Sequence, residues 1–207
     1  MPRPVKHEEK DILGATAALV AARGPAAATV GAIGLAIGAP SGSIYHRFRS
    51  RDALLGRLWL MKASYFQNAW ARALDQTDAR QSGLDAALSL PRVAREDFEG
   101  ARIMLLHRRE DFLSEGWPPE MKAEAARLGA QVVECLNLMT RRLFGRNTAA
   151  ARQVTMFATL DLPFSAVRRY VATGEPPPKQ LDALIERAYE AIIDDSSSAK
   201  GRRGTDL

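Results

Sequence analysis

The stretch TVGAIGLAIGAPSGSIYHRF, residues 29–48, decides the fold, because it predicts two short helices joined by a tight turn. Apolar residues recur at helical spacing over residues 30–37. Gly38 and Pro40 then interrupt the pattern, because glycine accepts the left-handed conformation that ends a helix and proline lacks the N–H that would continue it. Helical spacing resumes over residues 41–48. Two helices about such a turn form a helix-turn-helix motif.

The second predicted helix carries polar side chains that suit DNA recognition. Ile44 and Phe48 mark its inward side, and the side chains left to point outward are those of Ser41, Ser43, Tyr45, His46 and Arg47. Serine and histidine can hydrogen-bond base edges, whereas a phenol or a guanidinium suits phosphate. Gly42 would let the backbone approach the duplex, since glycine inside a helix otherwise costs about 1 kcal/mol relative to alanine. The predicted DNA contacts are Thr29, Tyr45 and Arg51 to the backbone, Ser41, Ser43 and His46 to base edges, and Pro40, Gly42 and Arg47 beside them.

These residues carry a resemblance to a known family. The run GAPSGSIYHRF, followed by RDALL at residues 51–55, resembles the N-terminal signature of TetR-type transcriptional regulators, and the similarity covers residues 8–58. Pro40 stands where the family usually has Ser or Thr, Arg47 where it often has His or Tyr, and Arg51 where it usually has Lys. The other features of the signature are present, namely the turn, the tyrosine at Tyr45 and the closing phenylalanine at Phe48. The resemblance therefore implies the family's fold and leaves the base preference open.

The composition fits such a protein. The chain has 207 residues, of which 46% are hydrophobic and 26% charged, as in ordinary globular proteins. Its net charge is +5, and residues 1–58 hold eight Lys and Arg against four Asp and Glu. Positive charge concentrated on the helix-turn-helix segment favours phosphate binding. No apolar run approaches the roughly 20 residues of a membrane span, and no signal-peptide core is visible, so we expect a cytoplasmic protein.

The rest of the chain predicts helices alone, which makes the fold class all-α. A first helix over residues 8–23 should complete a three-helix domain with the helix-turn-helix, and one long helix should run from Ser50 to about Leu74. Further helices are predicted near residues 80–96, 98–114, 118–145, 149–172 and 177–194, separated by Gly, Pro, Asp and Asn. The predicted division is a DNA-binding domain at 1–58, a ligand-binding and dimerisation domain at 59–195, and a disordered tail at 196–207. Residues 1–7 are expected to form a flexible arm.

An effector site is predicted from large, soft side chains in the second domain, together with the family's habit of enclosing an effector there. The candidates are Met61, Tyr65, Phe66, Met104, His107, Met139 and Phe157, with His107 as the polar contact. Each is open to the alternative of being an ordinary core residue. We expect an apolar or aromatic effector that tilts the long helix and releases DNA. Asp161, set among apolar neighbours, is expected to be a buried acid that needs a partner.

Two apolar stripes could each be covered within one chain, but two-fold reading of double-stranded DNA requires a pair of subunits, so we expect a homodimer and a palindromic operator. One stripe is Leu181, Leu184, Ile185, Ala188, Tyr189 and Ile192, and the other is Val154, Phe157, Leu160, Phe164, Val167 and Val171. An enzyme is not expected: His107, Glu110 and Asp111 lie at helical spacing, but no second histidine joins them, and no cofactor or metal is predicted. The resemblance implies a repressor released by a small effector. The alternative is a helical carrier protein with a vestigial helix-turn-helix.

Overall fold

The computed structural model describes residues 8–198, and within that range every regular element is helical, which confirms the all-α class. The helices are α1 (Glu9–Arg23), α2 (Val30–Ile37), α3 (Ser41–Tyr45), α4 (Arg51–Ala71), α5 (Ala79–Glu96), α6 (Phe98–Leu106), α7 (Pro119–Phe144), α8 (Ala149–Met156), α9 (Leu162–Thr173) and α10 (Gln180–Ser198). Short 3₁₀ turns cover Pro25–Ala27, Arg72–Asp75 and Arg109–Asp111, and a π-helical turn covers Phe157–Asp161.

Several helix ends differ from the predicted ones. The helix predicted over 98–114 stops at Leu106, because the Asp111 carboxylate accepts the N–H of Arg108 at 2.9 Å and starts a separate turn. The last helix continues to Ser198, so the tail predicted as disordered from residue 196 begins inside α10. The remainder of that tail and the predicted arm at 1–7 lie outside the described residues.

The described chain packs into two compact units. The N-terminal unit comprises residues 8–63 and 99–126, and the C-terminal unit comprises residues 64–98 and 127–198. Residues 99–126 therefore pack with the first helices, although the predicted domains place them with the second half of the chain. Helix α4 contributes to both units, since the division falls between Ala63 and Ser64.

The N-terminal unit is built on the apolar faces of its first four helices, as their spacing predicts. Fully or almost fully buried residues come from each of them: Ile12 and Val20 of α1, Ile33 of α2, Ile44 of α3, and Leu54 and Leu58 of α4. The early acids of α1, Glu9 and Asp11, and the late Arg23 also follow the order that a helix dipole favours.

In the C-terminal unit, ion pairs and one buried tyrosine fasten α10 to α5. Arg95 forms two hydrogen bonds with the Asp182 carboxylate, at 3.0 and 2.7 Å, and Arg80 pairs with Glu190 and Asp194. The Tyr189 hydroxyl donates to the carbonyl of Arg80 at 2.9 Å and lies against Gly83, where a Cβ would overlap the phenol. Burial raises the pKa of Tyr189 above its usual value.

Candidate nucleic-acid interface

The helix-turn-helix has the local geometry that the sequence predicts. The Thr29 hydroxyl accepts the N–H of Ala32 at 3.1 Å, so Thr29 is the N-cap of α2. Helix α2 ends at Gly38, whose φ of 67° is left-handed. The N–H of Ala39 then donates to the carbonyl of Gly34 at 2.8 Å and closes the turn. Side chains cap the start of α2, and a glycine permits its end.

Two glycines of this motif differ in what surrounds them. A Cβ at Gly34 would lie 2.6 Å from the carbonyl oxygen of Ala39 and 3.7 Å from Ile44, so the glycine is needed for the turn itself. A Cβ at Gly42 would meet nothing within 4 Å. The fold does not require the glycine in α3, and its open backbone lies on the outer surface.

Helix α3 separates apolar and polar residues as expected. Ile44 and Phe48 are buried, whereas Ser41 before them and the three residues between them are exposed. Tyr45 is 54% exposed, which is high for a tyrosine in a folded unit. The exposed members of the predicted DNA set are Thr29, Pro40, Ser41, Gly42, Tyr45, His46 and Arg47. Ser43 is half-buried, and its hydroxyl donates to the carbonyl of Pro40 at 2.8 Å.

Arg51 has a different environment from the one predicted. Its Nε donates to the carbonyl of Ala28 at 2.9 Å, and its Nη2 donates to the carbonyl of Pro25. The side chain therefore fastens the start of α4 to the turn that precedes α2, which argues against the free phosphate contact predicted for it. Arg49, two residues earlier, is exposed together with Arg47. Arg49 is not among the predicted DNA contacts, although a cation directly after Phe48 is a visible signal for phosphate binding.

Residues 99–126 support the N-terminal helices through specific contacts. Arg102 Nε donates to the carbonyl of Ala21, near the end of α1, at 2.8 Å. The Ser114 hydroxyl donates to the Asp52 carboxylate, in the first turn of α4, at 3.0 Å. His107 also belongs here: its ring contacts Phe112 edge-on, and a Cβ at Gly24 would touch its Cε1 at 3.4 Å.

Helix α4 receives three further contacts from the same segment. The Trp117 indole lies directly over Gly56, where a Cβ would overlap the ring. The Arg109 guanidinium stacks 5.3 Å from the centre of the Trp59 ring, and Arg57 pairs with Glu124 at 3.2 Å. These contacts fasten the N-terminal half of α4 to residues 109–124.

The predicted effector residues are divided between the two units. Met61, Met104 and His107 belong to the N-terminal unit, and Tyr65, Phe66, Met139 and Phe157 belong to the C-terminal unit. Met139 is fully buried beside Trp70 and Ala86, whereas Phe157 is 48% exposed. Met139 and Phe157 therefore face different environments within one unit, and the effector role of the set stays a prediction.

Tyr65 is the predicted effector residue with a polar partner in the C-terminal unit. Its hydroxyl donates to the Glu96 carboxylate at 3.3 Å, and both side chains are exposed. Desolvation, followed by the hydrogen bond to Glu96, raises the pKa of Tyr65. The phenol is therefore neutral at physiological pH and available as a hydrogen-bond donor or acceptor.

An open apolar groove of about 500 Å³ lies between the π-helical turn with α9 and the facing side of α10. Phe157, Leu162, Leu181, Leu184 and Ile185 line it, and Leu184 is 52% exposed. Asp161 and Arg169 also lie along this groove.

Asp161 is exposed, so the expectation of a buried acid is wrong. Pro163 has no N–H for the carbonyl of Thr159, and the chain instead makes a wide turn in which the N–H of Leu162 donates to Phe157. The extra residue in this turn changes which side chains face inward.

Among the described residues, there is neither a group of side chains that could bind a metal ion nor a helix that could span a membrane. No group of three His, Cys, Asp or Glu side chains among residues 8–198 could hold a metal ion, and Glu110 and Asp111 instead contact Arg108. Across the same range, no helix combines the length and apolarity of a membrane span.

Comparisons with known proteins agree with this architecture. A family model for bacterial regulatory proteins of the tetR family matches residues 12–58. The sequence has no significant match among curated proteins.

Among solved structures, the TetR-family regulator PfmR from Thermus thermophilus superposes with a TM-score of 0.69 at 18% identity, covering 90% of this chain and 96% of that one. FadR from Bacillus subtilis, solved with stearoyl-CoA, gives 0.68 at 15% identity, covering 90% and 98%. The fatty acid degradation regulator FadR from Bacillus halodurans gives 0.66 at 16% identity, with the same coverage. Residues 12–58 therefore match the TetR family in sequence, and the fold of the chain is that of TetR-family transcriptional regulators.

Proposed function

We propose that this protein is a cytoplasmic transcriptional repressor that binds its operator as a homodimer and is released by a small-molecule effector. The observation that carries the proposal is α3 together with the three residues that follow it, since this segment exposes Tyr45, His46 and Arg47, buries Ile44 and Phe48, and lies within the part of the chain that matches the family. A short helix with this division between buried and exposed residues suits insertion into the major groove.

Within this proposal, base edges are read by Ser41 and His46, and Tyr45 and Arg47 contact phosphates. Arg49 joins the phosphate contacts, and Ser43 contributes only if its hydroxyl leaves the carbonyl of Pro40. The excess of Lys and Arg over Asp and Glu in residues 1–58 supports attraction to DNA of any sequence. Specificity must then come from the exposed polar groups of α3.

The homodimer is proposed to form over the groove between α9 and α10, with a second copy of this chain as its occupant. Phe157, Phe164 and Leu184 are large apolar side chains that each expose more than two-fifths of their surface. A two-fold pair of helix-turn-helix motifs reads half-sites about 34–36 Å apart, which one chain cannot do. The same two-fold contact places Asp161 and Arg169 of the two subunits at one apolar interface, where opposite charges can pair.

The effector is proposed to act on α4, the helix that contributes to both units. Tyr65 and Phe66 lie on its C-terminal half, and Arg51 fastens its first residue to the helix-turn-helix. A ligand that favours one position of α4 shifts the operator affinity by its difference in affinity for the two states, typically 1–3 kcal/mol. The B. subtilis FadR of similar fold has been solved with stearoyl-CoA, which supports a ligand-responsive role.

The test is a gel shift with the DNA that lies upstream of the protein's own gene, against a scrambled duplex of equal length. The regulator should shift the upstream DNA at a concentration at least tenfold lower than the scrambled DNA. His46→Ala should abolish this preference while leaving weak binding to both duplexes. Equal binding of both duplexes by the unaltered protein would instead favour the carrier alternative with a vestigial motif.

A further inference from the structure

Another open groove, of about 490 Å³, lies in the N-terminal unit. It is lined by the 3₁₀ turn at Arg109–Asp111, by the loop that follows this turn, and by the first turns of α7. Its volume is within the range of small-molecule sites in proteins. None of its lining residues belongs to the predicted effector set or to the predicted DNA contacts, so the groove has no role in the proposed function.

Apolar side chains form a large part of the lining. They are Leu113, Trp117, Ala125 and Ala126. Leu113 is 36% exposed and Ala126 is exposed as well, although both belong to a unit that buries most of its large apolar residues. A ligand body that packs against Leu113 and Ala126 would remove this apolar surface from water, which is favourable.

Two cations of the lining have no carboxylate partner among residues 8–198. The Arg109 guanidinium stacks 5.3 Å from the centre of the Trp59 ring, and the Lys122 ammonium donates one hydrogen bond to the carbonyl of Glu115 at 2.7 Å. Both side chains are exposed. A guanidinium has five N–H groups and an ammonium has three, so each cation keeps donors for a ligand.

One carboxylate, that of Glu115, also lines the groove. Its side chain is exposed, and the bond from Lys122 goes to its backbone carbonyl and not to the carboxylate. Two cations against one anion leave the lining with an excess of positive charge. An anionic ligand group can therefore form charge-assisted hydrogen bonds here, which are stronger than those of a neutral group.

The loop that lines the groove also fastens the N-terminal half of α4. The Ser114 hydroxyl donates to the Asp52 carboxylate at 3.0 Å, and the Trp117 indole lies over Gly56. Ser114 and Trp117 both belong to the lining. A ligand in the groove would therefore contact two residues that hold the start of this helix.

We propose that this groove binds an apolar molecule that bears one carboxylate group. The carboxylate accepts hydrogen bonds from Arg109 and Lys122, and the apolar body packs on Leu113 and Ala126. The indole N–H of Trp117 takes no part, because the edge of the ring that carries Nε1 lies over α4.

The inference goes beyond the proposed function. The proposed effector acts on Tyr65 and Phe66, which belong to the C-terminal unit, whereas this ligand binds within the N-terminal unit itself. Its site is described without reference to DNA, so it stands whether or not the protein is a repressor.

The experiment is isothermal titration calorimetry of the full chain near pH 7 with three probes of one alkyl length: octanoate, octanamide and octylamine. Octanoate should bind, octanamide should bind at least tenfold more weakly because it has no charge, and octylamine should not bind. No binding of octanoate, or equal affinities for octanoate and octanamide, would overturn the proposal.

Charge variants test the polar contacts. Lys122→Gln keeps most of the side chain and removes its charge, so it should weaken octanoate binding at least threefold. Glu115→Gln removes the carboxylate of the lining and should strengthen binding. Arg127→Gln is the matched control, because Arg127 is exposed on the same helix and does not line the groove. Unchanged affinity in both Lys122→Gln and Glu115→Gln contradicts the assignment.

A pair of bulky substitutions locates the apolar body. Ala126→Phe fills the groove and should abolish octanoate binding, whereas Ala123→Phe, exposed on α7 and outside the lining, should retain it. Both positions are exposed, so the two variants should unfold at similar temperatures. Equal octanoate affinities in the two variants would place the ligand elsewhere and refute the site.

These titrations separate the inference from the proposed function. A failed gel shift with intact octanoate binding at this groove removes the repressor and leaves the site. Specific operator binding by a protein that does not bind octanoate removes the site and leaves the repressor.

Discussion

Arg51→Ala distinguishes a structural arginine from a DNA contact. In the structure its guanidinium donates to the carbonyls of Ala28 and Pro25, and Ala28 is fully buried. A hydrogen bond to a charged group contributes about 1.5–3 kcal/mol. The two bonds share one side chain, and Pro25 is only half-buried, so their full values do not add. We expect the free energy of unfolding to fall by about 2–4 kcal/mol.

The assay is urea unfolding followed by far-UV circular dichroism, with Arg49→Ala as the matched control. Arg49 is exposed, and its removal should change the free energy of unfolding by less than about 0.5 kcal/mol. The salt dependence of DNA binding provides the second readout. Arg47→Ala should reduce the slope of log affinity against log salt by about one unit, whereas Arg51→Ala should leave it unchanged.

The sequence alone predicts the opposite for Arg51, namely a phosphate contact and a flatter salt slope. An Arg51→Ala protein with unaltered stability and a slope reduced by one unit would refute the structural role. It would show that the guanidinium leaves the two carbonyls for DNA.

Three further substitutions test the interface and the dimer. Gly42→Ala should keep or increase stability, since its Cβ meets nothing, yet weaken operator binding in a gel shift; Gly34→Ala, with a Cβ 2.6 Å from a carbonyl oxygen, should instead lower the melting temperature. His46→Ala should reduce the ratio of operator to random-DNA affinity about tenfold or more in fluorescence anisotropy, and an unchanged ratio would exclude base contact. Leu184→Glu, at a side chain that is 52% exposed, should give a folded monomer by light scattering, and a dimer mass would place the interface elsewhere.

Local signals in the sequence were sufficient for the helix-turn-helix. Thr29 caps α2 through a neighbour three residues away, and Gly38 ends it by its own backbone conformation, so both depend on residues within one turn. The alternation of buried Ile44 and Phe48 with exposed residues follows from helical spacing alone. The predicted exposure of α3 is therefore confirmed, while its contacts with DNA stay a prediction.

Contacts between distant residues carry no such signal. The acceptors of Arg51 lie 23 and 26 residues earlier in the chain, and periodicity cannot show that an arginine faces them. Residues 99–126 were assigned to the second domain for the same reason. One clue was available: Gly56 interrupts an otherwise strong helical pattern, and the indole of Trp117 fills the space it leaves.

The π-helical turn explains the errors around Asp161. A stripe read at 3.6 residues per turn places Phe157, Phe164 and Val167 on one face. The stripe is not uniformly buried, since Val167 is fully buried whereas Phe157 is 48% and Phe164 is 42% exposed. The π-helical turn adds a residue, and Asp161 within it is exposed. Pro163 is the signal that the sequence offers for this irregularity. It shows that a regular α-helical turn is interrupted there, but not that a π-helical turn takes its place.

The attachment of α10 to α5 has a consequence for how relatives of this protein diverge. Arg80, Arg95 and Tyr189 secure α10 within its own subunit, whereas Leu184 belongs to its outward face. Substitutions on the outward face leave those attachments intact. With the proposed homodimer on this face, two copies that arise by gene duplication can change which subunits pair through a few surface substitutions and still keep a stable subunit. The proposed regulators would then no longer form mixed dimers.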